Sequence, residues 1–262
     1  MKRLDTYLVD LGLSESREKA KRMIMAGLVI VDGKRVDKPG HQVRGGEKVV
    51  LLEPPRYISR GGYKLENAIR RFSIDLRGKV CLDVGSSTGG FTQCLLEFGA
   101  GKVYAIDVGR GQLHPSLRED KRVIFYEKLD ARSVSREHVP EKVDLITVDV
   151  SFISVTKVIH SLLEFLKEDG LLLVLVKPQF ELSPKDVRKG IVKDINKKRK
   201  ALKKVIDYMI EMGLVIMGVM KSSPRGTKGN EEFFVLAGFR GDNIDIENSV
   251  KNALNEPIEG GE

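Results

Sequence analysis

A glycine-rich loop, Asp83-Val84-Gly85-Ser86-Ser87-Thr88-Gly89-Gly90, carries the first chemistry legible in this chain. It follows the apolar run Lys79-Val80-Cys81-Leu82 and precedes Phe91-Thr92-Gln93-Cys94-Leu95-Leu96, whose apolar residues recur at helical spacing. A strand, a glycine turn and a helix in that order let backbone approach a ligand closely at the carboxyl edge of a parallel sheet. Gly85 and Gly89 are spaced for neither a dinucleotide fingerprint nor a P-loop, which needs Gly-Lys-Ser/Thr. Asp83 would repel a pyrophosphate, and it suits the cationic amino-acid end of S-adenosylmethionine (AdoMet).

Two further acids extend that reading. Lys102-Val103-Tyr104-Ala105-Ile106-Asp107 reads as a second strand ending in a carboxylate, the position from which both ribose hydroxyls are within reach. Asp130 ends the next segment, from Val123 to Leu129, and is placed for the adenine amino group. The candidate cofactor residues are therefore Asp83, Gly85, Ser86, Gly89, Gly90, Phe91, Asp107 and Asp130. A second set, Lys64, Asp149, Lys177 and Glu232, is scattered through the chain but falls at expected element ends around the same loop.

These residues need a sheet to gather them. Short apolar runs predict strands at Val80 to Asp83, Val103 to Asp107, Val123 to Tyr126, Asp144 to Asp149, Leu171 to Val176, Val215 to Met220 and Phe233 to Phe239. Helices are predicted at Tyr63 to Phe72, Gly90 to Phe98, Val155 to Leu166 and Lys197 to Met212. Such alternation predicts a doubly wound, mostly parallel α/β sheet with an antiparallel pair at its end.

Ahead of it lies a smaller α+β unit. Leu4 to Gly12 and Ser16 to Ala26 have helical apolar spacing, with Ser14 or Ser16 as N-cap and Gly27 as terminator. Val29 to Val31 and Lys34 to Val36 flank Asp32-Gly33, a hairpin turn. A strand from Glu47 to Leu52 then leads into the stiff connection Pro54-Pro55-Arg56-Tyr57.

Composition narrows the partners. With 262 residues, 41% hydrophobic, the chain is long enough for one full core and a small second one. A formal net charge of +8 makes polyanions plausible partners. Arg17, Lys19, Lys21 and Arg22 crowd one segment, and Lys185 to Lys204 is rich in Lys and Arg. Asp242, Asp245, Glu247, Glu256, Glu259 and Glu262 make the carboxyl end acidic.

Cys81 and Cys94 read as small buried hydrophobes, and no Cys or His grouping has zinc-ligand spacing, so no metal is expected. The amino terminus lacks the apolar stretch of a secretory signal, and the longest wholly apolar run, Leu171 to Val176, cannot span a bilayer. A cytoplasmic protein without a membrane partner is expected.

The front segment is similar to the RNA-binding domain of ribosomal protein S four, some pseudouridine synthases and tyrosyl-tRNA synthetases. The likeness rests on Arg3-Leu4-Asp5, Ser16-Arg17, Ala20, Gly27, Val29-Ile30-Val31-Asp32-Gly33-Lys34 and Lys38-Pro39. It implies that Arg17, Lys21 and Arg22 face RNA phosphates.

The rear segment resembles FtsJ-type ribose 2'-O-methyltransferases, and the order of the two resembles the TlyA family of ribosomal RNA methyltransferases, historically labelled haemolysins. The motifs are Ser59-Arg60-Gly61-Gly62-Tyr63-Lys64-Leu65, Asp83 to Phe91, Val148-Asp149-Val150-Ser151-Phe152, Val176-Lys177-Pro178-Gln179-Phe180-Glu181 and Gly229-Asn230-Glu231-Glu232-Phe233-Phe234. The resemblance implies a Rossmann-like AdoMet-dependent methyltransferase fold behind the RNA-binding domain. The expected boundaries are 1–58, 59–240 and an acidic tail 241–262.

It further implies a catalytic Lys-Asp-Lys-Glu tetrad at Lys64, Asp149, Lys177 and Glu232, a ribosomal RNA or ribosomal-subunit substrate, and a cytidine ribose as target. A ribose hydroxyl is a poor nucleophile, so a base must take its proton as the oxygen attacks the sulfonium methyl. Lys177, just past a buried apolar strand, is the candidate. Asp149 and Glu232 would orient it, and strand alternation lets only one of Glu231 and Glu232 face the site.

Two other readings are open to test. A membrane-active haemolysin needs an insertion segment, and nothing here exceeds ordinary helix periodicity. A non-catalytic RNA-binding assembly protein would show an eroded loop or tetrad, and both are intact.

Overall fold

The computed structural model describes residues 1–257, so Glu259 and Glu262 lie outside the described residues. The chain divides into two compact units, Met1–Arg56 and Tyr57–Glu262.

In the first unit, β1 (Lys2–Arg3) leads into α1 (Leu4–Asp10), α2 (Arg17–Met25), β2 (Val29–Val31), β3 (Lys34–Val36), β4 (Gln42–Val43) and β5 (Val49–Leu51). Ser16 is the N-cap of α2, its hydroxyl accepting from the Lys19 N–H. Asp32 and Gly33 both take positive φ, 47° and 77°, which turns β2 back onto β3. The resulting sheet, β3-β2-β5, is antiparallel, while β1 pairs with β4. Leu4, Leu8, Ala20, Ile24, Val29, Val31 and Val43 form its core.

The second unit opens with α3 (Arg60–Arg71), β6 (Val80–Val84), α4 (Gly90–Glu97), β7 (Lys102–Asp107), α5 (Pro115–Arg118), β8 (Val123–Glu127) and β9 (Val143–Val148). It continues through α6 (Thr156–Leu162), β10 (Leu166–Val176), α7 (Pro178–Glu181), α8 (Ile195–Glu211), β11 (Val215–Lys221), β12 (Phe233–Gly238) and α9 (Ile246–Asn255). The strand order is β11-β12-β10-β9-β6-β7-β8, with β12 antiparallel to both its neighbours. Chain order reverses on either side of β6, which pairs with β7 and with β9, so a crevice opens at the carboxyl end of β6.

Period-2 alternation sorts the strands between two apolar layers. Leu172, Val174 and Val176 of β10 join one cluster, and Leu173 and Leu175 join the other. Cys81 and Cys94 are buried in the second layer and form no disulfide, and burial pushes the Cys81 thiol up to about 12.

Four expectations need revision. The acidic segment 241–262 is no mere tail: α9 buries Val250, Ala253 and Leu254 in the same layer as α8. Its acids are used locally, Asp245 capping α9, Glu247 pairing with Lys203 and Glu256 accepting from the Lys221 N–H. The helix expected from Val155 to Leu166 ends at Leu162, passes through a 3-10 turn at Leu163–Phe165, and gives way to β10 at Leu166. The second unit begins at Tyr57, earlier than 59, because the Tyr57 ring packs where a Cβ on Gly62 would be, only 2.2 Å away. Finally, α3 starts at Arg60, with Ser59 as its N-cap accepting from Gly61.

Candidate active site

Gly85, at φ +85°, turns the chain out of β6. The N–H groups of Gly85 and Ser86 donate to the Ile106 carbonyl at 2.8 and 3.1 Å, tying the loop to β7. Gly89, at φ +99°, caps α4, and a Cβ there would meet Leu117 at 2.2 Å. Two cavities flank this loop and share Gly85, Ser87 and Asp149. One, of about 480 Å³, is also lined by Asp107 and Asp130, and the other, of about 320 Å³, by Ser86, Gly90 and Phe91.

Asp107 has both oxygens engaged: the Ser87 N–H donates to one at 2.8 Å and the Gly109 N–H to the other at 2.6 Å. It therefore shapes the loop as well as lining the cavity. Asp130 accepts from the Arg132 guanidinium at 2.9 and 2.5 Å, and that contact holds its carboxyl down at about 2.

Asp83 is a correction. It is fully buried beneath the loop and lines neither cavity; Thr92 Oγ1 donates to it at 2.6 Å and Thr147 Oγ1 at 3.0 Å. Burial pushes its carboxyl up to about 7, against the pull of the two hydroxyls. Period-2 alternation along β6 turns Asp83 to the same face as Cys81, toward α4, where it fastens α4 and β9 to β6. Gly89 likewise shapes the loop without lining either cavity.

The four scattered residues do come together. Asp149 follows β9, and its N–H donates to the Val84 carbonyl at 2.9 Å. Lys177 follows β10, and Glu232 precedes β12. Because β12 runs antiparallel, Phe233 pairs with Val176, which brings Glu232 beside Lys177. Lys64 reaches in from α3.

Within this cluster Lys64 Nζ donates to Glu232 at 2.6 Å, and Lys177 Nζ lies 2.6 Å from Asp149. The first contact is a hydrogen-bonded ion pair, whereas the Asp149 oxygen facing Lys177 lacks hydrogen-bond geometry. Lys177 Nζ donates instead to Ser151 Oγ at 2.9 Å, a partner the sequence motif contained but did not single out. The side chains of Lys64, Lys177 and Glu232 are 10%, 10% and 3% exposed, so the ion pairs are largely desolvated.

Glu231 and Glu232 face opposite ways. Glu231 pairs with Lys198 at 2.5 Å and lies near Lys221 and Arg225, away from the cluster. Glu232 is pressed by Gly226, where a Cβ would lie 1.9 Å from its oxygen.

In the first unit Arg17 lies 3.4 Å from buried Asp5, to which Arg3 also donates at 2.9 Å. The Arg3 guanidinium holds Asp5 well below the usual carboxylate range. Lys21 pairs with Glu18 at 2.7 Å, and Arg22 is exposed. The basic stretch 185–204 is partly neutralised, with Lys197 on Asp186, Lys198 on Glu231, Lys203 on Glu247 and Lys204 on Glu181.

A doubly wound sheet with a glycine loop at its switch point and a lysine–carboxylate cluster beside it defines a Rossmann-like methyltransferase. Residues 57–239 match the FtsJ-like methyltransferase family and residues 2–49 the S4 domain. The chain is 40% identical over 233 residues to Hemolysin A of Brachyspira hyodysenteriae, covering 88% of this chain and 97% of that protein. It is 37% identical over 261 residues to the 16S/23S rRNA (cytidine-2'-O)-methyltransferase TlyA of Mycobacterium tuberculosis, covering 97% of each. A solved hemolysin-named structure from Streptococcus thermophilus superposes with a TM-score of 0.75 at 36% identity, covering 97% of this chain and 94% of that one. The chain belongs to the FtsJ-like methyltransferase family, alongside these TlyA and hemolysin-named relatives. Among the described residues no helix is long and apolar enough to cross a membrane.

Proposed function

We propose that the protein transfers a methyl group from AdoMet to a ribose 2'-hydroxyl of ribosomal RNA, at a cytidine, in the cytoplasm. The observation carrying this reading is the placement of Lys177 Nζ, 2.6 Å from Asp149 and 2.9 Å from Ser151 Oγ, opening on the cavity that the glycine loop lines. The relative from Mycobacterium tuberculosis, named for cytidine 2'-O-methylation of 16S and 23S rRNA, supports the choice of substrate.

The cavities suit AdoMet by their chemistry. Gly85 and Gly90 offer bare backbone, and a Cβ at Gly90 would sit 2.1 Å from Ser59 Oγ, so the wall is as close as a peptide allows. Asp107 and Asp130 supply carboxylates along the larger cavity for ribose hydroxyls and an adenine amino group. Ser86 and Phe91 complete the smaller one, and Asp83 supports the loop from below.

When bound, AdoMet supplies an electrophilic methyl on a sulfonium, which leaves as a neutral thioether. Lys177 Nζ, in its amine form, takes the proton from the 2'-hydroxyl as the new oxygen–carbon bond forms and the sulfur–carbon bond breaks. Asp149 and Ser151 hold Lys177 in place and steady the ammonium it becomes. Lys64 and Glu232 keep the opposite wall of the site neutral in sum. Arg17, Lys21 and Arg22 bind RNA phosphates, with Arg3 beside them.

The test is to incubate ribosomal RNA with the protein and AdoMet, digest it and locate the new methyl group by mass spectrometry. A ribose-methylated cytidine is expected, and the chain should resist alkaline cleavage there because the capped oxygen can no longer attack the adjacent phosphate. A methyl group on a base would overturn the reading.

A further inference from the structure

Glu181 is a fully engaged acid with no part in the chemistry just described. Its side chain is 1% exposed, and its hydrogen-bond partners lie outside the four tetrad residues. Its carboxylate accepts from Ser154 Oγ, from the Val155 N–H at 2.8 Å and from Lys204 Nζ at 3.1 Å. Lys204 also donates to the Glu181 carbonyl at 2.9 Å and to Ser154 Oγ at 3.2 Å, which closes the cluster.

The position of these partners is what matters. Ser154 and Val155 end the loop that starts at Asp149 and contains Ser151 and Phe152, while Glu181 ends α7, which begins directly after Lys177. One carboxylate thus joins the segment holding the proposed base to the segment holding its acid partner. The same segments meet at the site itself, where Lys177 donates to Ser151, and at the rim, where the Phe152 and Phe180 rings lie 5.2 Å apart.

That loop does not hold its shape unaided. Phe152 adopts a left-handed φ of +65° and is 92% exposed, so neither intrinsic preference nor burial of its own ring fixes it. A buried carboxylate is costly unless its oxygens are satisfied, and here three donors satisfy it from two other segments. A staple serving stability alone needs no such placement at the far end of both site loops.

We propose that Glu181 is a positioning residue: it latches the 149–155 loop to α7 and so sets the distance between Lys177 and the Asp149–Ser151 pair. The catalytic consequence rests on the proposed methyl transfer; the latch itself does not. Lys204 and Ser154 belong to the latch, and Lys204 is thereby assigned a role other than RNA contact.

The test uses the full chain with Glu181→Gln, which keeps shape but presents an amide donor to one of the existing donors. Hydrogen exchange should rise about tenfold in the peptides covering 149–155 and 177–182 while the central strands keep their protection. AdoMet affinity by calorimetry should fall less than turnover, about three- to fivefold, since no direct Glu181 partner lines the loop cavities but residues 149–153 of the loosened loop line the larger one, whereas turnover per AdoMet-binding site should fall about 10- to 100-fold through misplacement. Ser154→Ala should give a smaller loss, and the double variant no more than Glu181→Gln alone. Unchanged exchange in both peptides, or turnover per binding site within about twofold of wild type, overturns the proposal. If Glu181→Gln does not fold, Ser154→Ala bears the same two readouts. Altered exchange in Glu181→Gln, alongside a wild-type protein that fails to methylate RNA, would leave the latch standing and remove the proposed function.

Discussion

The carbonyl oxygen of Asp149 lies where a side chain on Gly85 would have to be: a Cβ built there falls 2.4 Å from it. The turn leaving β6 and the end of β9 are in backbone contact, so the glycine loop and the strand end carrying Asp149 share one wall. Gly85→Ala brings that clash on top of the ~1–2 kcal/mol that a left-handed conformation costs a residue with a Cβ. We expect AdoMet affinity to fall more than tenfold and the melting temperature to drop. Calorimetry and thermal melts on the variant check both; an affinity within twofold of wild type would show that the loop tolerates what the geometry forbids.

The two lysines of the tetrad should behave differently. Lys177→Ala is expected to remove nearly all methyl transfer while leaving AdoMet affinity within a few fold, because its contacts are to Asp149 and Ser151. Lys64→Ala leaves Glu232 buried without its partner, which costs about 3–5 kcal/mol of stability as well as activity. Adding Glu232→Gln to it should restore much of the stability and none of the activity. Urea titrations beside turnover measurements distinguish these outcomes, and a Lys177→Ala enzyme keeping a tenth of wild-type turnover would exclude Lys177 as the base.

Asp83 makes stability depend on pH. Its folded-state carboxyl is raised to about 7 by burial, above the unfolded value, so the protonated form favours the fold. That contribution is fully present below about pH 4 and is lost as pH rises through 7. Wild type minus Asp83→Asn should therefore lose stability by up to about 1.4 kcal/mol per pH unit across that window. Denaturation series at several pH values measure it, and parallel curves for the two proteins would contradict the assignment.

Arg17, Lys21 and Arg22 should carry a salt-dependent share of RNA affinity. Replacing all three with Gln is expected to weaken binding and to flatten the logarithmic salt dependence by roughly one unit per lost phosphate contact. Because Lys21 pairs with Glu18 and Arg17 with Asp5, the exposed Arg22 should account for the largest single change. Filter binding across a salt series reads both quantities; an unaltered slope would assign this helix face to something other than phosphate.

Local chemistry made much of this protein legible in one dimension. The turn at Gly85, the helix that Ser16 caps, the Asp32-Gly33 hairpin and the apolar runs of the sheet follow from backbone preferences and period-2 burial, which act over a few residues. The tetrad's members were readable as motifs, but not their partners, since Lys64 and Glu232 stand 168 positions apart. Only the antiparallel register of β12 against β10 decides that Glu232 turns to Lys64 while Glu231 turns to Lys198. Tertiary packing likewise drew Asp83 away from both loop cavities to bind Thr92 and Thr147, and pressed α9 into the core although its acids disguised Val250, Ala253 and Leu254. A side chain's type is written in the chain; the direction it faces, and the charge it meets there, are set by strands that the sequence keeps far apart.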